Sequence, residues 1–171
     1  RGLHLEVDKI AAAKRAKILK KVILIGIAAV CVCITFLVIL VTVIFDRYKV
    51  EKLKNPAVGD IVYFGKYEQD NVALNGAEDI EWIVLAKKED SCLVISKYAL
   101  DCKLYNEKYE SVTWQTSSLR NWLNNDFLNK AFTKKEINRI PTVQVPADEN
   151  PIYSTNPGVA TSDKIFLLSI K

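Results

Sequence analysis

The chain has 171 residues, half of them hydrophobic, with 24 basic and 20 acidic side chains and no methionine. Residues 1–21 carry seven basic and two acidic side chains, whereas residues 46–171 carry 17 basic and 18 acidic ones. The excess positive charge therefore belongs to the N-terminal tail. Because the remainder has no basic patch with interleaved aromatic side chains, nucleic-acid binding is excluded as an expected function.

Residues 22–45 form an uncharged run of 24 residues, closed by Lys20 and Lys21 before it and by Asp46 and Arg47 after it. As a helix this run would extend about 36 Å at ~1.5 Å per residue, enough to cross a hydrocarbon core of ~30 Å. A cleaved signal peptide has a shorter apolar region, of ~7–15 residues, and ends in small residues. The run therefore predicts a single-pass transmembrane helix that serves as a signal anchor.

Basic side chains are more numerous before the apolar run than after it. Seven precede it, and four lie in the twenty residues that follow it. The positive-inside rule therefore places the N-terminus in the cytoplasm and the C-terminal domain outside the cell. Five of the basic residues form a cluster at the membrane surface, which orients the helix or, alternatively, attracts anionic lipid: Lys14, Arg15, Lys17, Lys20 and Lys21.

These features divide the chain into four segments: a cytoplasmic tail (1–21), a transmembrane helix (22–45), a polar linker (46–56) and an extracytoplasmic domain (57–171). The chain begins inside a charged stretch predicted to be helical, and it ends directly after the apolar run 164–170, which is typical of a strand. Such a final strand still needs a partner. We therefore expect the domain to be truncated.

Beyond the linker, the residue pattern first becomes that of β-strands. Three segments rich in Val, Ile, Tyr or Trp predict strands: 60–64, 80–87 and 91–97. Glu89 and Asp90 lie between the last two, which predicts a hairpin with a short turn. A polar connection over 70–79 contains the turn dipeptide Asn75-Gly76.

The middle of the domain has helical spacing instead. Residues 117–124 place Leu119, Trp122 and Leu123 on one helical face behind Ser and Thr caps, and residues 126–132 continue the pattern. Thr133-Lys-Lys-Glu136 matches a capping box, which predicts another short helix toward Ile140.

An extended segment (141–146), a polar loop reaching residue 162 and the final strand complete the chain. Strands followed by short helices and then by strands indicate an α+β fold.

Residues able to carry chemistry are scarce outside the membrane. The sole histidine, His4, lies on the predicted cytoplasmic side, so the outer domain offers no Ser-His, Cys-His or His-zinc site. Cys92 and Cys102 are expected to be a structural disulfide or two buried thiols rather than a redox or metal centre. Cys31 and Cys33 lie within the apolar run and are interpreted as small apolar residues of the span.

Acidic residues are plentiful but form no recognisable site. Glu78, Asp79 and Glu81 lie beside Trp82, and Asp148 and Glu149 lie in a loop. Two such carboxylates flanking a sugar could hydrolyse it, although solvated loop charge explains these residues more simply. Four oxygen-bearing residues would suit Ca²⁺ but lack EF-hand spacing: Asp70, Asn71, Asn75 and Asp79. We therefore predict no metal site, no cofactor and no catalytic residue.

Aromatic side chains could provide stacking faces for a glycan or a peptide. The candidates are Tyr63, Tyr67, Trp82, Tyr98, Tyr105, Tyr109, Trp114 and Trp122. Most of them are core candidates by their pattern, so only one or two are expected on a binding surface.

Five motifs follow one another along residues 57–171: Gly59-Asp-Ile-Val-Tyr-Phe-Gly65, Ile80-Glu-Trp-Ile-Val-Leu85, Leu100-Asp-Cys-Lys-Leu-Tyr-Asn106, Thr113-Trp-Gln-Thr-Ser-Ser-Leu-Arg-Asn-Trp-Leu-Asn124 and Asp163-Lys-Ile-Phe-Leu-Leu-Ser169. Their order resembles a family of bacterial extracytoplasmic domains of unknown function. The fourth motif, Trp-x-x-Ser-Ser-Leu-Arg-x-Trp-Leu-Asn, is the most specific. Members are similar to the C-type-lectin-like fold shared with formylglycine-generating enzymes, and they occur in bacterial surface proteins.

The resemblance implies structural roles rather than an active site. Ser117 would cap a helix, Arg120 would pair with a carboxylate or a carbonyl, and Trp114 and Trp122 would fill the core. The full structural signature is Trp82, Trp114, Ser117, Arg120, Trp122 and Asn124.

No catalytic or calcium-binding residue carries over from the related folds. Glu149-Asn150-Pro151 does not match the Glu-Pro-Asn order of sugar-binding lectins. The Trp-Leu-Arg-Ser and Gly-Val-Arg-Pro-Ala segments that continue the family pattern are absent here, which agrees with a missing C-terminal half.

The sequence favours a membrane-anchored surface protein whose outer domain binds a ligand or partner. Its expected partners are the lipid bilayer and an envelope glycan, a peptide or another surface protein. The alternative is an enzyme related to formylglycine-generating enzymes, or a carboxylate-dependent hydrolase, with its active site in the missing half.

Overall fold

The computed structural model describes residues 2–72 and 74–169, with side chains described from residue 13 onward. The chain forms two compact units, Arg1–Glu51 and Lys52–Lys171. The second of these is called the outer domain below.

The first element is the helix α1, Gly2–Lys54. Every side chain of residues 22–45 is exposed, so this part of α1 presents apolar surface on all sides. The hydroxyls of Thr35 and Thr42 donate to the carbonyl oxygens of Val32 and Ile39, each at 2.8 Å. These polar groups are therefore satisfied within the helix, as a lipid environment requires.

Within the described residues, one helical segment, Ala13–Lys54, is long and apolar enough to cross a membrane. The predicted polar linker 46–56 is helical as far as Lys54, so α1 continues beyond the apolar run. Phe45 and Tyr48 stack with their ring centres 6.5 Å apart, and the Lys49 amine lies 4.4 Å from the centre of the Phe45 ring. Aromatic and basic residues are typical of the boundary between lipid and water.

Three antiparallel strands open the outer domain: β1 (Ile61–Tyr67), β2 (Glu78–Lys88) and β3 (Ser91–Ser96), in the spatial order β1-β2-β3. The predicted hairpin is confirmed, since β2 and β3 pair directly around Glu89 and Asp90. The pairing of β1 with β2 shifts register between Tyr63 and Lys66, where Gly65 has a φ of +76°.

A broken helical segment follows the sheet. A 3₁₀ turn (Trp114–Thr116) precedes α2 (Ser118–Trp122), a π-helical turn (Leu123–Phe127), α3 (Leu128–Ala131) and α4 (Lys134–Ile137). The predicted capping box is present. The Thr133 hydroxyl accepts from the Glu136 backbone N–H, while the Glu136 carboxylate accepts from the Thr133 backbone N–H at 2.8 Å.

A second sheet consists of β4 (Val143–Val145) and β5 (Thr161–Asp163), which pair antiparallel. The predicted final strand over 164–170 is therefore wrong for residues 164–169, and residue 170 lies outside the described residues. The side chain of Asn124 explains the difference. Its carbonyl oxygen accepts from the N–H groups of Lys164 and Ile165, and its amide donates to the Ile165 carbonyl. The Asn124 side chain thus binds backbone N–H and C=O groups that would otherwise be available to pair with a neighbouring strand.

The core of the outer domain lies between the three-stranded sheet and the helical segment. Its buried residues are Tyr67, Ile80, Phe127, Leu128, Ala131 and Phe132, and Trp82 and Trp122 pack against them. The architecture is thus a long apolar helix and a mixed domain of short helices and small antiparallel sheets, in agreement with the α+β prediction.

Candidate functional site

A cavity of about 750 Å³ lies in the outer domain beside the core. Its walls are the three-stranded sheet, the helical segment and the extended residues 164–168. We call this cavity the groove. A volume of this size is typical of small-molecule and peptide sites, which range over ~300–1,000 Å³.

The sheet forms one wall of the groove. Val62 and Phe64 from β1 contribute to it, together with Trp82 and Val84 from β2. Because alternate residues of a strand point to the same side, these residues share one face. The indole N–H of Trp82 donates to the Phe64 carbonyl at 2.7 Å, so this polar group is already satisfied.

Aromatic rings dominate the opposite wall. Trp122, Phe127 and Phe132 line it. The ring centres of Trp122 and Phe127 are 5.4 Å apart, and those of Trp82 and Phe132, which connect the two walls, are 6.3 Å apart. The groove thus offers apolar and aromatic surface from both sides.

The charged residues around the groove are mainly basic. Among the described lining residues they are Lys87, Lys88, Lys103, Arg139 and Lys164, with Asp101 as the one acidic residue. The Lys103 amine lies 5.1 Å from the centre of the Trp122 ring, and the Arg139 guanidinium lies 5.8 Å from that of Phe64. Since residues 46–171 carry slightly more acidic than basic side chains, this local excess favours an anionic ligand.

Asp101 already has a partner. The Tyr67 hydroxyl donates to its carboxylate at 2.5 Å. Burial and this hydrogen bond raise the pKa of Tyr67 to about 12, and the same hydrogen bond lowers the pKa of Asp101. Asp101 therefore stays ionised near neutral pH; it accepts the hydrogen bond from Tyr67 and also interacts electrostatically with Lys103.

Strand β3 forms an open edge of the sheet, and all six of its residues line the groove. The Lys97 N–H donates to the Glu81 carbonyl at 2.9 Å, which marks these two residues as a hydrogen-bonded pair. Because bonded and non-bonded pairs alternate in an antiparallel ladder, the pairs Trp82–Ser96 and Val84–Val94 are non-bonded.

The backbone groups of Val94 and Ser96 therefore point away from β2, toward the open edge. The bonds of Val84 agree with this assignment, since its N–H and C=O bind Asp60 and Gly59 on the β1 side. Within the described part of the chain, no residue covers this edge as a further strand.

A separate acidic cluster lies at the β1–β2 connection. Carboxylate oxygens of Glu68, Asp70 and Glu78 lie within 4.8 Å of one another. Most of them already accept hydrogen bonds: Asp70 from the Asn75 amide, and Glu78 from the Gln69 N–H, both at 2.8 Å. The bond from Asn75 is the main cause of the lowered pKa of Asp70. Of the four residues considered for Ca²⁺, Asp70 belongs to this cluster, whereas Asp79 forms an ion pair with Lys66 at 3.5 Å.

Two residues of the predicted signature meet at one carboxylate. Arg120 and Trp114 both donate to Asp163, and Arg120 also donates to the Gln115 carbonyl at 3.2 Å. Arg120 thus has both kinds of partner expected for it. Burial alone raises the pKa of Asp163, but hydrogen bonds from Arg120, Thr161 and Trp114 outweigh burial and lower it overall.

The remaining signature residues hold the helical segment in place. The Ser117 hydroxyl accepts from the Arg120 N–H at 3.2 Å and so caps α2. Asn124 binds the backbone of residues 164 and 165, as described above. Trp82 and Trp122 line the groove, and Trp114 is half-buried beside Asp163.

Cys92 and Cys102 are free thiols in the structure, half-buried and exposed respectively. The alternative of two buried thiols is therefore wrong, and their disulfide remains a prediction. The five residues of the N-terminal basic cluster are all exposed on α1: Lys14, Arg15, Lys17, Lys20 and Lys21.

Sequence reasoning missed the groove cations and Asp163. Lys87 and Lys88 end a strand and are typical of a solvated turn, and nothing in the pattern links Lys103 to Trp122. The position of Asp163 at the start of the fifth motif was the one signal of its importance. Its partner Arg120 lies 43 residues away in sequence, so local pattern could not indicate their contact.

Residues 89–171 match the model of a family described as a domain of unknown function, DUF6273. No curated protein and no solved structure is significantly similar to the chain.

Proposed function

We propose that this chain is a membrane-anchored surface protein whose outer domain is a binding module, with its ligand held in the groove. The groove is the observation that carries the proposal. It combines apolar walls, aromatic rings and basic residues in one cavity, which are the properties of a ligand site. An envelope glycan, a peptide or another surface protein are the candidate ligands.

The anchor in this proposal is residues 22–45 of α1. An apolar surface on all sides of a helix is unfavourable in water, and the satisfied hydroxyls of Thr35 and Thr42 remove the polar cost of entering lipid. The basic tail (1–21) then lies in the cytoplasm, and the outer domain faces the envelope.

For the outer domain we propose membership of the C-type-lectin-like group of folds. Support comes from the ordered motifs and from the roles of Ser117, Arg120 and Asn124, which fasten the helical segment. The family match over residues 89–171 includes the motif that contains these three residues.

Cysteine labelling tests the anchor and its direction. In a chain whose Cys31 and Cys33 are replaced by serine, the exposed Cys102 should react with a membrane-impermeant maleimide on intact cells. A cysteine introduced by Lys17→Cys should react only after lysis. The reverse pattern would show the opposite topology, and release of the protein by alkaline carbonate would show that no anchor exists. Labelling of Cys102 with and without reductant also tests the disulfide with Cys92.

Fluorine NMR tests the groove. Full-length chain labelled with 5-fluorotryptophan in detergent micelles carries three labels, of which Trp82 and Trp122 line the groove and Trp114 does not. Solubilised glycan, peptide and protein fractions of the envelope are titrated separately. A ligand in the groove should shift the resonances of Trp82 and Trp122 and leave that of Trp114 unchanged. If no fraction shifts these two, the binding function is wrong.

A further inference from the structure

We propose that the groove takes an acidic, extended peptide segment that adds to the open edge of β3 as a further strand. This inference rests on the proposed function and narrows its ligand from three chemical classes to one.

Backbone geometry is the first argument. Val94 and Ser96 each direct an N–H and a C=O away from β2, toward the open edge, and both residues line the groove. These groups are repeated at every second residue, a spacing of about 6.8 Å along an antiparallel strand. A peptide backbone carries matching donors and acceptors at the same spacing, whereas a glycan or a lipid does not. Such strand addition is an established mode of peptide recognition.

The groove also suits the side chains of an added strand. All residues of β3 line the cavity, so a strand beside it would lie along the cavity rather than across it. Its alternate side chains would lie beside those of Val94 and Ser96 and face the wall of the groove that contains Trp122. The ligand is therefore expected to be apolar at every second position.

The charges around the groove indicate which side chains the peptide carries at its other positions. Lys87 and Lys88 pair with Cys92 and Ser91, so they lie at the beginning of β3. Lys103 and Arg139 also line the groove, and Asp101, the one acidic residue among the described lining residues, binds Tyr67 and interacts electrostatically with Lys103. Carboxylates on the ligand would complement these cations, and basic residues would be repelled.

The same cations disfavour a second copy of this chain as the occupant. Pairing two β3 edges would present residues Ser91–Ser96, which include no acidic side chain, to these cations. The cations would then lack the complementary charge that favours association. We therefore assign the edge to an acidic peptide of a different protein.

The test uses full-length chain in detergent micelles and fluorescein-labelled nonapeptides of alternating valine and glutamate. Binding is measured by fluorescence anisotropy, with the Trp82 and Trp122 fluorine resonances as the position readout. Two derivatives carry N-methyl groups on the odd or on the even residues. Because only every second residue bonds to one neighbouring strand, one derivative should lose about tenfold or more in affinity while the other stays within about twofold.

Protein variants complete the test. Val94→Pro removes the edge-facing N–H, which proline at an edge position permits without loss of the β2 pairing, and it should weaken peptide binding about tenfold. An unchanged Trp114 resonance would show that the variant is folded. Arg139→Glu and Lys103→Glu leave the backbone of β3 intact and should weaken the valine–glutamate peptide while favouring a valine–lysine peptide.

Equal affinity of the two methylated derivatives would overturn strand addition. If no peptide binds while another envelope fraction shifts Trp82 and Trp122, the inference fails and the binding function stands. If the free chain sediments as a dimer that Val94→Pro dissociates, the edge belongs to a second copy and the proposal is wrong.

Discussion

Arg120 and Asp163 join the helical segment to β5 across 43 residues of sequence. The Arg120 Nη2 lies 2.8 Å from the Asp163 Oδ1, and the Arg120 Nε donates to both carboxylate oxygens at 2.8 and 3.1 Å. Asp163 is 1% exposed and also accepts from the Trp114 indole at 2.9 Å and the Thr161 hydroxyl at 2.6 Å. One buried carboxylate thus connects three parts of the outer domain.

Asp163→Ala should lower the free energy of unfolding of the outer domain by about 3–5 kcal/mol, because it leaves the Arg120 guanidinium and the Trp114 and Thr161 donors without their acceptor. Urea unfolding followed by tryptophan fluorescence measures this loss. The matched control is Asp148→Ala, which removes an exposed loop carboxylate and should change stability by less than about 0.5 kcal/mol. Similar small effects for both variants would show that the Asp163 cluster does not stabilise the fold.

The lowered pKa of Asp163 also predicts acid sensitivity. Because the folded state holds this carboxyl ionised below its ordinary pKa, its contribution to stability is full above the unfolded pKa of ~3.9 and is lost as the pH falls through the folded value. Stability should therefore decrease with falling pH below about 4. In Asp163→Asn this part of the decrease should be absent when urea midpoints are compared from pH 6 to pH 3. If the urea midpoint of Asp163→Asn fell with pH as steeply as that of the unmodified chain, Asp163 would not be the cause of the acid sensitivity.

Local pattern was sufficient to predict the first sheet and the helical segment of the outer domain, but not β5. The alternation of Val, Ile and Tyr predicted the three strands of the first sheet. The spacing of Leu119, Trp122 and Leu123 predicted the helical segment. The Thr133 and Glu136 capping box also formed as expected. Each of these features depends on residues close in sequence, which is the range over which periodicity carries information.

Long-range contacts could not be read from the same pattern. Residues 164–169 look like a strand by composition, but the Asn124 side chain occupies the backbone of Lys164 and Ile165. The groove likewise depends on Trp122 and Phe127 lying opposite strands that are tens of residues earlier in the sequence. Such tertiary contacts override local propensity, and periodicity does not record them.

Gly65 should tolerate no side chain. A Cβ there would overlap the Phe132 ring and lie 2.9 Å from the Ala131 carbonyl oxygen, and the φ of +76° at Gly65 disfavours other residues. Gly65→Ala should therefore lower the free energy of unfolding by about 3 kcal/mol, from backbone strain and overpacking together. Gly76→Ala is the matched control, because its φ of +78° is similar but nothing lies within 4 Å of the added Cβ.

Backbone strain alone should cost Gly76→Ala about 1–2 kcal/mol. Thermal unfolding of both variants in the same detergent distinguishes the cost of backbone strain from the cost of overpacking against Phe132. Equal losses of stability in the two variants would mean that Phe132 moves to make room for the added Cβ. The close packing of Gly65 against the core would then contribute nothing to stability.

Glu78→Gln should stabilise the outer domain. The oxygens of Glu68, Asp70 and Glu78 lie within 4.8 Å of one another, and the buried Oε1 of Glu78 has no hydrogen-bond partner among the described residues. Glutamine removes one of three like charges, supplies an amide donor to the neighbouring carboxylates, and keeps an acceptor for the Gln69 N–H. The expected gain is about 1 kcal/mol in urea unfolding at pH 7 and low salt.

Comparing low and high salt distinguishes electrostatic repulsion from packing as the cause of the stability gained by Glu78→Gln. Because the three carboxylates are partly accessible to solvent, about 1 M NaCl should screen their repulsion and reduce the advantage of Glu78→Gln. Glu149→Gln changes an exposed loop residue in the same way and should leave stability unaltered at either salt concentration. A loss of stability in Glu78→Gln would show that the three carboxylates are held together by a cation, and added Ca²⁺ or Mg²⁺ would then stabilise the unmodified chain but not this variant.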